Sequence, residues 1–404
     1  AAFLCAAGAR TLLRGVGPIP LSIATMAFAL WFLASASPLY SGGHFGYHTS
    51  VAEEIWGGKF FLYYFPGPDN MLSHQPQWGN MTVPHPSLYH TVVAPLAVLP
   101  REWFHLGTKL FLALLLFGVT LVASAVARAA GGASGASGAN GANGANGESA
   151  GAFAALAVLT FPTGWQLLGL GHLMTIFGCF AAAAALGFTS IATNRLEERR
   201  TWLIALGLTT FAFLSYTGSL LFASIALIFA SAALARSEPR LARRLGSLLL
   251  LAWGLALLLY YMHWVEPFVR ETLPRMLSGE GSSGSIDWTA RLALLPEKLR
   301  YTFGSFWVPL VGLLGLRLAE PRPRRILLYG WGLVLPLFCL FDLAFNFLLK
   351  HHYFSFPVVA IGAGLALGRL QKKGRLGMAV FLLVVVYLCV TGGASLFRLA
   401  TGGA

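Results

Sequence analysis

The sequence predicts an all-α, polytopic membrane protein of about eleven transmembrane helices, with a large first external loop carrying interfacial helices. Three observations lead there. Hydrophobic residues make up 56% of the 404 positions and charged residues 11%, against about 25% charged in an ordinary soluble domain. Apolar runs of roughly 18 residues recur along the chain, each long enough to cross a bilayer as a helix with its backbone groups satisfied internally. The basic residues sit in short clusters between those runs, as topology signals do. The net charge of +13 therefore points to membrane orientation and away from a nucleic-acid partner. The whole chain, 1–404, reads as one transmembrane domain in contact with the lipid bilayer.

Arg10 and Arg14 precede an apolar run from about Pro18 to Ser37, which reads as a retained first span with its N-terminal side in the cytoplasm. Residues 41–100 then form the first external loop. Within it, His44 to Trp56 reads as an amphipathic helix: Tyr47, Val51 and Ile55 recur every four residues, and the polar side chains lie elsewhere on the turn. Gly57-Gly58 is expected to stop it. Five prolines between positions 66 and 87 argue for a structured loop. Pro86 then opens a short interfacial helix ending near Pro100.

Trp103 to Ala127 makes a second span, and the Gly/Ala/Ser/Asn tract at 129–151 reads as a flexible cytoplasmic linker. The apolar run from Ala152 to Ile191 is interrupted by FPTGWQLLGLGH, where Pro162, Gly164 and Gly169 are expected to break it into two short spans. Trp202 to Leu214 repeats the layout, with a break at Ser215 to Gly218 and a return to the basic cluster Arg236–Arg244. A span from Leu245 to Trp264 leads to a second external loop at 265–302. There Glu266 with Arg270, and Glu271 with Arg275, have helical ion-pair spacing. Phe303–Leu316, Ile326–Phe347, Phe356–Leu367 and Met378–Phe397 complete the spans, with the turn LLKHHYF before the tenth.

On this topology 18 of the 28 Lys and Arg fall on the cytoplasmic face, with only 5 of the 15 Asp and Glu. All ten histidines fall on the other side, five of them (His44, His48, His74, His85, His90) in the first loop. The four cysteines have neither CxxC nor metal-ligand spacing and read as small packing residues.

The layout and three local stretches resemble the GT-C type glycosyltransferases. HPSLYHTVVAPLAVLP (85–100) is similar to that superfamily's proline-initiated helix closing the first loop. YHTSVAEEIWGGKF (47–60) is similar to its Tyr…Ala…Gly-Lys helix, and KHHYFSFP (350–357) to its basic-aromatic-proline turn. The resemblance spans roughly residues 18–370. It implies a sugar moved from a polyprenyl-phosphate carrier to an acceptor at the outer face of a bacterial inner membrane. The superfamily's first-loop carboxylate has no counterpart here: His44 stands in SGGHFGY with no acid beside it.

A lipid-phosphate donor needs a base, a cationic site and a lipid groove. Candidate bases are Glu54 and Glu53, the acids of the first-loop helix, and His44. Candidate substrate-binding residues are Lys350, His351, His352 and Tyr353, with His48, His85, Tyr89 and His90 of the first loop. Asp342, Asn346 and Lys350 at four-residue spacing suggest a polar stripe entering the membrane. His44 and His48 are four apart, so a divalent metal is a possible cofactor if His85 or His90 supplies a third ligand. Gln166 and His172 mark the break in the third apolar run. Two other readings stay open: a transporter or flippase of a lipid-linked or small polar substrate, and a catalytically silent membrane scaffold.

Overall fold

A computed structural model describes residues 16–37, 40, 44–67, 69–73, 84–132, 142–274, 288–345 and 349–401. Among these no strand occurs. The helices are α1 (Pro18–Ala36), α2 (Phe45–Glu54), α3 (Phe60–Tyr64), α4 (Leu88–Val93), α5 (Arg101–Gly131), α6 (Ala142–Thr160), α7 (Pro162–Gly169) and α8 (Leu173–Ile191). They continue as α9 (Arg199–Ser215), α10 (Thr217–Leu234), α11 (Pro239–Thr272), α12 (Trp288–Phe303), α13 (Trp307–Gly315), α14 (Arg322–Phe345), α15 (Phe356–Leu370) and α16 (Gly374–Ala400). The chain is an integral, multi-pass membrane protein. Among the described residues, eight helices are long and apolar enough to cross a membrane, or nine if α12 and α13, bent by 68°, count together. The expected eleven is thus not reached by length and composition: α9 has 17 residues and α15 has 15.

The short helix α15 sits at the centre of the bundle. It is apolar on every side, the pattern of a helix that meets neighbours all round, and Phe356 to Leu365 are buried. Its partners are α6, α13 and α5. Glycines set those distances. A Cβ on Gly362 would stand 1.8 Å from the Gly312 carbonyl oxygen, and one on Gly364 2.5 Å from that of Ala150. Small residues at such crossings let backbones approach where burial offers no drive between helices.

The linker expected at 129–151 is taken up by helix at both ends, since α5 runs to Gly131 and α6 starts at Ala142. Small residues at its C-terminal end pack. Gly147 and Gly151 lie against Arg128 and Ser124 of α5, and Glu148 pairs with Arg128 at 3.3 Å. Arg324 is buried at the same end. Its guanidinium donates to the carbonyls of Ser190 (3.0 Å), Ile191 (3.3 Å), Ala129 and Glu320 (2.7 Å). It thereby gathers the last turns of α5 and α8.

At the opposite end lie the first loop, the α7–α8 turn and the C-terminal turn of α16. The break in the third apolar run differs from expectation. Pro162 opens α7 and Gly164 lies within it, facing Trp31. The second break falls at Gly171, which takes φ 65°, and not at Gly169. The expected break at Ser215–Gly218 is a single extended residue, Tyr216. In α2 the expected face is buried at Val51 and Ile55. Gly57-Gly58 kinks the helix without ending it: Gly58 takes φ 95° and the chain resumes as α3. α3 is tied to α11, where Tyr64 and Phe65 meet His263 at 5.9 and 4.8 Å. α11 itself runs past the expected end at Trp264 to Thr272, and Glu266–Arg270 forms the expected pair at 2.7 Å. α4 starts at Leu88, just after the expected Pro86.

Candidate functional site

His44 caps α2 and its backbone N–H donates to the Leu170 carbonyl (3.2 Å), which draws the start of α2 onto the α7–α8 turn. Its imidazole then stacks on His172, centroids 5.3 Å apart and planes 19° apart. His172 caps α8, and its ring lies 6.3 Å from that of Tyr353. Tyr353 is buried, with its carbonyl accepting the Cys179 thiol at 3.5 Å. One row, His44–His172–Tyr353, thus joins the first loop to the turn before α15.

Beside this row lies an open cleft lined by Trp165, Gln166, Leu170, Tyr301, Ser395 and Arg398 among others. Leu170, whose carbonyl holds the His44 backbone, forms part of its wall. Gln166 donates to the Tyr301 carbonyl while its own buried carbonyl oxygen has no partner among the described residues. Arg398 brings a cation in the last turn of α16.

A second group forms behind α2. His48 Nδ1 lies 3.0 Å from His90 Nε2, one of the two donating. Tyr89 packs edge-on to both rings. His90 is fully buried, and burial together with the nearby His85 pushes its pKa down to about 3. His85 is buried against Tyr216 (5.7 Å), and Thr217 donates to the Pro84 carbonyl, so α4 docks on the α9–α10 turn.

The two candidate acids have different surroundings. Glu54 accepts the Tyr63 hydroxyl at 2.7 Å and Lys59 Nζ at 3.4 Å. Burial and this carboxylate push the Tyr63 phenol above its usual range. Both contacts fall on one carboxylate oxygen, Oε2. Glu53 is exposed, and its charge reaches His105 of α5.

The paired metal ligation by His44 and His48 does not form. The two rings diverge, one to His172 and the other to His90, and among the described residues no group of three or more His, Cys, Asp or Glu could hold a metal ion. His352 and Tyr353 are buried in the turn Leu349–Phe354. The side chains of Asp342, Lys350 and His351, and residues His74, Arg275 and Asn346, lie outside the described residues. The structure adds Tyr301, Ser395 and Arg398. The signal for Arg398 was present in the sequence, as a lone arginine in the final turn of an apolar helix. The approach of Tyr301 to α7 was not.

No protein-family model and no curated protein matches the sequence. Solved structures do. ArnT from Cupriavidus metallidurans in the apo state superposes with a TM-score of 0.56 at 16% identity, over 94% of this chain and 75% of that one. The fold is that of the GT-C glycosyltransferases. The Archaeoglobus fulgidus oligosaccharyltransferase, solved in complex with zinc and sulfate, matches with a TM-score of 0.61 at 15% identity. That match covers 95% of this chain, which spans about half the oligosaccharyltransferase's length (53%). At these identities the likeness concerns the GT-C fold.

Proposed function

We propose that this protein is a membrane glycosyltransferase moving a sugar from a polyprenyl-phosphate carrier to an acceptor at the outer face of a bacterial inner membrane. The observation that carries the proposal is the His44–His172 stack beside a cleft holding Arg398. The neighbouring GT-C structures support the general class.

In this reading the donor phosphate lies against Arg398, with Ser395 and Gln166 as hydrogen-bonding groups, and the polyprenyl chain leaves along the apolar walls. His44 takes the proton of the acceptor hydroxyl as the acceptor oxygen bonds to the sugar's anomeric carbon. The carbon–oxygen bond to phosphate breaks, and the polyprenyl phosphate leaves with the electron pair, its charge held by the cation. His44 is preferred to Glu54 because Glu54 is engaged by Tyr63 and Lys59. Glu53, exposed on α2, is the alternative base. Lys350, His351, His352, Tyr353, His48, His85, Tyr89 and His90 remain the proposed substrate-binding surround, with His90 and Tyr353 acting from buried positions.

Sealed vesicles carrying the protein and a labelled polyprenyl-phosphate sugar test this. Production of free polyprenyl phosphate together with a glycosylated acceptor supports the transferase. Movement of label across the membrane without product means a transporter. A silent scaffold, the reading favoured by the lack of a carboxylate at His44, gives neither.

A further inference from the structure

Arg101, His105 and Lys109 recur every four residues at the end of α5 nearest α2, so they share one face of the helix. Lys109 lies eight residues, about 12 Å at 1.5 Å per residue, below Arg101. It is therefore an ionisable group inside an apolar, membrane-crossing helix, where charge is costly and normally faces a partner or a cavity. Among the described residues no carboxylate pairs with it. Its ammonium sits over two rings, 4.7 Å from the centroid of Tyr40 and 5.7 Å from that of Phe45. Those rings are themselves held in place. The Tyr40 hydroxyl donates to the Leu168 carbonyl at 2.7 Å, and Phe45 packs edge-on to His105 at 5.4 Å. Glu53 on α2 is exposed.

Two aromatic faces stabilise a cation without neutralising it. We infer that this face of α5 is a second anion site, separate from the Arg398 cleft, which takes the phosphate group of a membrane lipid. Lys109 holds the phosphate as a point charge, His105 one turn away donates a hydrogen bond to it, and Arg101 at the membrane surface draws the headgroup in. The lipid tails stay in the bilayer. Tyr40 and Phe45 flank His44, so an occupied site braces the segment from which α2 starts. The phosphate can belong to a glycerophospholipid or to a polyprenyl phosphate, and the binding chemistry is shared.

The test is lipid retention by the full-length chain, measured by native mass spectrometry after mixing with phosphatidylglycerol, polyprenyl phosphate or phosphate-free diacylglycerol. Wild type is expected to retain one phosphate-bearing lipid at least five times more than K109M does, to retain diacylglycerol equally in both, and to be matched by K109R. Retention of phosphatidylglycerol identifies a bilayer lipid as the occupant. Retention of polyprenyl phosphate alone identifies the carrier. If K109M does not fold, R101Q decides, with the same direction of change expected. Equal retention of both phosphate lipids by wild type and by the variant overturns the inference. A wild type that lacks sugar transfer yet shows Lys109-dependent retention refutes the transferase reading and leaves this one standing.

Discussion

Arg324 offers a test of how the end of the bundle opposite the site is held. Its guanidinium donates to carbonyls at the last turns of α5 and α8 and to Glu320. Those helix-end carbonyls have no intrahelical partner, and they carry the negative ends of two helix dipoles. In R324M the cation goes while the apolar stem stays. Hydrogen bonds to a charged group contribute about 1.5–3 kcal/mol each, but the guanidinium also carries a desolvation cost that disappears with it. The net loss expected is therefore well below the sum of four bonds, about 3–5 kcal/mol. At an unfolding entropy of ~2.1 cal/mol/K per residue, that lowers the melting temperature by about 4–6 °C. R324K, which keeps the charge but not the fork, should lose less than half as much. The assay is thermal denaturation of purified protein in one detergent, followed by tryptophan fluorescence. An R324M variant melting within 1 °C of wild type would refute the latch.

Further predictions concern packing, pH and the first loop. Gly362→Ala pushes a methyl into the Gly312 carbonyl, 1.8 Å away. It should cost at least the ~1–3 kcal/mol of ordinary overpacking and broaden the size-exclusion profile; an unchanged profile and melting temperature would contradict the α13–α15 crossing. His90 stays neutral in the fold to about pH 3, whereas the unfolded chain takes up a proton near pH 6.5. Stability conferred by this neutral group is present above pH 6.5 and drains as pH falls toward 3, at up to about 1.4 kcal/mol per unit. Melting curves between pH 8 and 4 should show a shallower acid slope for His90→Gln than for wild type. Parallel slopes would show that His90 is not the titrating group. E54Q should disturb the fixed Tyr63 contact and lower thermal stability by about 1 kcal/mol, whereas E53Q, on an exposed side chain, should melt like wild type. Reversed effects would contradict the local geometry.

Much of the fold was legible because bilayer crossing imposes a length and a composition. The long apolar helices, the break at Tyr216 and the buried Val51–Ile55 face followed from those rules. The count of spans was less legible where helices are short: α9 and α15 are apolar but have only 17 and 15 residues, and apolarity alone does not distinguish a short span from a helix buried among others. Gly164 was read as a breaker, yet it lies within α7. Gly147 and Gly151 pack against α5 although the tract around them read as flexible, since small residues suit both roles. The site was only half readable. Sequence spacing put His44 and His48 on one helix, but the choice of His172 for one and His90 for the other depends on contacts over 40 to 130 positions. Arg398 and Lys109 lay in apolar runs as single charges, and their importance emerged from the cleft and the aromatic cage around them.

The most direct test of the central claim is single-turnover transfer from a labelled polyprenyl-phosphate sugar in membranes, comparing wild type with H44A, E53Q and E54Q. The account predicts measurable transfer by wild type and a loss of about 10²–10⁴-fold in H44A, with protein level and melting temperature retained. Full activity in H44A would contradict the proposed base, and a wild type with no transfer from any polyprenyl-phosphate sugar would contradict the function itself.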